Sequence, residues 1–82
     1  MPEFPVELCF ALDHHEYRCV IVEDLTFKVE RFHGLSNVWS REGNGLLTWE
    51  NGHFTVERST LSAPVEFQVM MGLNERAAAS NR

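Results

Sequence analysis

The chain has 82 residues, 44% of them apolar, with six Phe, two Trp and a formal charge of −5, enough to bury one modest core but with no room for a second domain. Its seven Lys and Arg residues are scattered and include a single lysine, Lys28. Clustered cations of the kind that displace phosphate counterions are therefore missing, which argues against nucleic acid as the partner. No apolar run approaches the roughly 20 residues needed to span a bilayer, and Met1-Pro2-Glu3-Phe4-Pro5 lacks the charged-then-apolar start of a secretory signal, so a cytoplasmic location is expected.

Alternation and turn residues predict a meander of strands over residues 6–12, 17–22, 25–32, 37–41, 46–50, 53–60 and 65–71. In the first two, Val6, Leu8, Phe10 and Leu12 share one face, as do Tyr17, Cys19 and Ile21. Matching these faces pairs Leu12 with Tyr17, Phe10 with Cys19 and Leu8 with Ile21 across a four-residue loop, Asp13-His14-His15-Glu16. Cys9 then sits opposite Val20 and points away from Cys19. Two buried, reduced thiols are expected rather than a disulfide, as suits a reducing compartment. The second face of this hairpin carries Cys9, Ala11, Val20 and Val22, an apolar strip that needs cover, either from the chain after Gly72 or from a partner. Residues 25–32 alternate cleanly, Leu25, Phe27 and Val29 against Thr26, Lys28 and Glu30.

The stretch from Arg41 to Glu57 carries two Gly/Asn clusters and predicts consecutive hairpins, because Asn-Gly pairs accept the positive φ angles of tight turns. A two-residue turn at Asn51-Gly52 sets Glu50 opposite His53, Trp49 opposite Phe54, Thr48 opposite Thr55 and Leu47 opposite Val56. One face is then apolar and the other polar. Gly43-Asn44-Gly45 is read as the turn between 37–41 and 46–50. A three-residue loop there opposes Trp39 to Trp49, whereas two or four residues put them on different faces and free Trp39. Ser62-Ala63-Pro64-Val65 could cap a helix, but Val65, Phe67, Val69 and Met71 alternating with Glu66 and Gln68 favour a strand. Past Gly72 the residues form helices well but have little to bury, predicting a frayed end or a short docked helix. The expected fold is all-β and mainly antiparallel: a small meander sheet curled into a barrel or two-layer sandwich over residues 1–73, with a tail at 74–82.

Motifs for chemistry are weak. The cysteines and four histidines lack zinc-ligand spacing, and a site from Asp13, His14, His15 and Cys19 would need Cys19 to turn outward. Ser36, Ser40, His33 and Asp13 have no nucleophile-elbow context. Glu23 and Asp24 are adjacent and most simply form a turn, and Gly43-Asn44-Gly45 does not lead into a helix N-terminus as a phosphate loop would. No catalytic residue, metal or cofactor is assigned.

By elimination the chain reads as a small, acidic, non-enzymatic protein-binding module, a regulator or inhibitor of a larger assembly such as phages and mobile elements carry. Cys9, Ala11, Val20, Val22, Trp39 and Arg41 are its candidate partner-binding residues. One alternative is a small barrel binding single-stranded nucleic acid through Trp39, Phe32 and Arg31 or Arg41. The other is a structural subunit of a homo-oligomer, a homodimer being the simplest.

Overall fold

The computed structural model describes residues 2–80. Strands β1 (Val6–Leu12), β2 (His15–Ile21), β3 (Thr26–His33), β4 (Val38–Glu50) and β5 (His53–Ser59) form one antiparallel sheet in chain order, followed by helix α1 (Ala63–Ser80). The sheet curls into a half-barrel, and α1 packs against both of its edge strands, β1 and β5. The expected mainly antiparallel meander is thus what the chain forms, as an open half-barrel filled by a helix rather than as a closed barrel.

The inner face follows from strand alternation. Val6 and Leu8 of β1, Tyr17, Cys19 and Ile21 of β2, Phe27 and Val29 of β3, Leu47 of β4 and Phe54 of β5 are all buried, and α1 adds Val65, Val69, Leu73 and Ala77. These four helical residues recur every fourth position and so form one stripe along the helix. Val69 and Leu73 are fully enclosed and each contribute about 1.5–3 kcal/mol of apolar burial.

The helix replaces the strand expected over 65–71 and continues through residues 74–80; residues 81 and 82 of the expected tail lie outside the described chain. Val65 and Val69 satisfy both a two-residue and a four-residue repeat, so that window alone cannot separate the two structures. Leu73 and Ala77 decide for the helix, and they lie beyond Gly72, which looks like a terminator. Gly72 instead sits inside α1, where a Cβ would lie 3.0 Å from Leu8 Cδ1. Its missing side chain brings the helix close to β1. At the start of α1, Ser62 O accepts the Glu66 N–H at 3.0 Å, and Pro64 falls in the first turn, where no intrahelical N–H bond is forfeited.

Two hairpins differ from expectation. Asp13 and His14, at φ 49° and 67°, make a two-residue turn, so Phe10 faces Tyr17, Leu8 faces Cys19 and Val6 faces Ile21. The register is displaced by two residues from the one derived with a four-residue loop. A shift of two preserves the buried face, which is why alternation could not detect it. The Gly43–Gly45 segment is not a turn: β4 runs unbroken through it, with Gly43, Asn44 and Gly45 facing Val29, Lys28 and Phe27. Trp39 consequently lies opposite Phe32 rather than Trp49. The Asn51-Gly52 turn forms in the expected register, with φ 53° and 83°. Phe54 and Leu47 enter the core, while Trp49 stays at the rim, 40% exposed, with its ring edge-on to Phe54 at 4.6 Å.

Asn74 joins helix to sheet. Its amide Oδ1 accepts the Phe54 N–H at 2.7 Å and its Nδ2 donates to Phe54 O at 2.9 Å, so one side chain makes at the β5 edge the two bonds that a further strand would make. At the opposite edge Arg76 donates to Glu7 O at 3.0 Å.

Candidate functional site

The outer face of the sheet, opposite α1, can be assembled row by row, since antiparallel partners share a face. Cys9, Arg18, Glu30 and Arg41 form one row across β1–β4, and Glu7, Val20, Lys28 and Asn44 form the next. Thr26, Leu46 and Arg58 form a third across β3–β5. Ala11 stands opposite Glu16, and Trp39 opposite Phe32. Alternation therefore places the candidate residues Cys9, Ala11, Val20, Trp39 and Arg41 on this one face, and Val22 borders it at the end of β2. The helix packs on the other face, so of the two covers considered for this strip, the chain after Gly72 through residue 80 is not the one that lies across it.

The face has two halves. In the first, Arg18 Nε donates to Glu30 Oε1 at 2.8 Å while its guanidinium lies 4.3 Å from the Trp39 ring centre. Trp39 also packs against Phe32, with centroids 5.1 Å apart. The indole, whose freedom the sequence left open between two loop lengths, is thus engaged by an arginine of its own chain. Arg31, grouped with Trp39 in the nucleic-acid alternative, belongs to the other face: it pairs with Tyr17, and its Nε, 3.5 Å from Glu42 Oε2, is buried with no hydrogen-bond partner among the described residues.

The second half is a groove of about 590 Å³ over the ends of β2–β5. Val20, Val22 and Leu46 line it, with Lys28, Arg58 and Asn44 also contributing. Val22 is 41% exposed. No carboxylate is among its lining residues, and among the described residues no carboxylate lies within ion-pair distance of Lys28, Arg41 or Arg58. Lys28, Asn44, Leu46 and Arg58 were not singled out from sequence. Reading Gly43–Gly45 as a turn split Asn44 and Leu46 from Lys28, whereas one continuous strand brings all three together. The available signal was the polar alternation of Thr26 and Lys28, extended across a neighbouring strand.

The groups weighed for chemistry are dispersed. His33 Nε2 and Ser40 Oγ form a hydrogen bond across β3 and β4, an exposed cross-strand pair. Asp13 and His14 are committed to the first turn, and Ser36 is exposed in the β3–β4 connection. Cys19 faces the core, where burial pushes its thiol up to about 12, and Cys9 is exposed. Both thiols are free, but only one of the two expected to be buried is so, because adjacent registers place them on opposite faces. Asp24 accepts the Thr26 N–H at 3.0 Å and its hydroxyl at 2.7 Å, and these bonds hold its carboxyl below the usual value.

No helix among the described residues is long and apolar enough to cross a membrane. Comparisons with family models, curated proteins and solved structures return no match to this chain.

Proposed function

We propose that the chain is a non-enzymatic protein-binding module, a regulator or inhibitor that acts by occupying a larger partner through the outer face of its sheet. The observation that carries this reading is the groove floored by Val20, Val22 and Leu46. Aliphatic side chains are gathered there on the face the helix leaves open, in a chain whose other large aliphatics mostly fill the core. A flat arrangement of the same residues would be scattered surface; a concavity that exposes them together can enclose a partner's side chain. The single-strand nucleic-acid reading draws less support. Its stacking platform, Trp39, is held by Arg18 and Phe32, and Arg31 lies on the opposite face.

The test compares the wild-type chain with a Val20→Glu/Val22→Glu variant in affinity capture from the native host, with circular dichroism confirming that the variant folds. The expected result is a defined protein species retained by the wild type and lost by the variant. Equal retention by both would remove this face from the function. Sedimentation at several concentrations runs alongside, and a self-association abolished by the same variant would make the chain an oligomer subunit instead.

A further inference from the structure

We infer that the occupant of the β2–β5 groove is an acidic protein segment carrying an aliphatic anchor; this rests on the docking face proposed above and adds the chemistry of what docks there. The chain contains 12 Asp and Glu against seven Lys and Arg, so a random patch should expose more anions than cations. The groove has the reverse balance, with Lys28 and Arg58 and no carboxylate among its lining residues.

Of the other described cations, three have local roles, and Arg41 lies in the Glu30 row outside the groove lining. Arg18 is paired with Glu30 and stacked on Trp39, Arg31 neighbours Glu42, and Arg76 bonds the β1 edge. Lys28 and Arg58 have no such partner among the described residues, and they flank the aliphatic floor in adjacent rows. Thr26, which also borders the groove, donates its backbone N–H and its hydroxyl to Asp24 Oδ1, which holds that ionised carboxylate in the β2–β3 turn, and Asp24 is not among the groove's lining residues. Two uncompensated cations beside Val20, Val22 and Leu46 are complementary to a segment with carboxylates on either side of a Leu, Ile or Val. Such charges steer association and reject basic segments, while the aliphatic contact supplies retention. The aromatic residue among the groove's lining, Phe27, is buried in the core and offers no open ring face on which a single-stranded nucleic acid could stack its bases.

The probe is a displayed library of random 12-residue peptides, selected on the immobilised wild-type chain and, separately, on a Lys28→Gln/Arg58→Gln variant and the Val20→Glu/Val22→Glu variant. A fluorescent oligo(dT) is titrated against all three. The expected result is enrichment of sequences with Asp or Glu flanking an aliphatic residue. A representative peptide should bind the Lys28→Gln/Arg58→Gln variant about tenfold more weakly and the Val20→Glu/Val22→Glu variant not at all. Recovery of neutral or basic sequences, equal affinity for the glutamine variant, or no recovered binder would overturn the inference. Oligo(dT) binding that depends on Lys28 and Arg58 would overturn it in favour of nucleic acid. If peptides are lost on the glutamate variant but not on the glutamine variant, the docking face stands and only its acidic partner falls. Peptides retained by both variants would remove the face itself.

Discussion

The Asn44-Gly45 and Asn51-Gly52 pairs share a dipeptide and lie in the same sheet, yet one continues within the run of β4 and the other reverses the chain. At the second pair both residues have positive φ, and a Cβ on Gly52 would meet nothing within 4 Å. The glycine there serves backbone conformation. At the first pair φ is not positive, and a Cβ on Gly45 would fall 2.5 Å from Arg58 O and 2.6 Å from Phe27 Cζ. That glycine serves space: the Phe27 ring, fully buried, lies over the strand where a side chain would stand. The same residue type thus answers two different demands, and the neighbours across the sheet decide which.

Substitutions can break this contrast at graded cost. The largest effect is expected from Phe54→Ala, which empties a fully buried site held by the Asn51-Gly52 hairpin and should lower stability by about 3–5 kcal/mol; an unmoved urea midpoint would remove the hairpin from the core. Gly45→Ala follows at about 2–3 kcal/mol, since neither the Arg58 backbone nor the packed Phe27 ring can yield freely. Gly52→Ala should cost about 1 kcal/mol, the conformational penalty alone. Chemical denaturation of the two glycine variants side by side sharpens the comparison, because equal losses would show that space at Gly45 is not the constraint.

The smallest effect concerns a turn made without glycine. Between β2 and β3, Leu25 takes φ 70° and Asp24 bonds Thr26 twice. The lowered Asp24 carboxyl contributes stability that is present above its unfolded value of 3.8 and is lost as pH falls through the lower folded value. Asp24→Asn should therefore lower the thermal midpoint slightly in the neutral region and flatten the acid limb, with the two proteins converging at low pH. A steeper acid limb in the variant would contradict the assignment.

Legibility in the sequence followed the range of the determining contact. The Asn51-Gly52 register and the inner-face residues of β1–β3 could be read directly, because turn chemistry and alternation are local. The two-residue slip of β1 against β2 could not, since Asp13 and His14 give no glycine signal for a tight turn and both registers bury the same face. The helix was hidden because Val65 and Val69 fit two periods, and because Gly72, needed for approach to Leu8, resembles an end. The docking groove was half visible: Val20 and Val22 stand out as apolar residues on a second face. Leu46, Lys28 and Arg58 join them only through the pairing of β4 with both neighbours.

The position of α1 in the chain has a consequence for biosynthesis. Translation proceeds from the N-terminus, so the whole sheet is polymerised before the element that fills its concave side. At roughly 5–20 residues per second, the 18 residues of α1 take about one to four seconds to add. During that interval Phe27, Val29, Leu47 and Phe54 have no helix to meet, and the β5 backbone at Phe54 has no Asn74 to satisfy it. Until α1 is added, the concave side of the sheet therefore has no cover from its own chain.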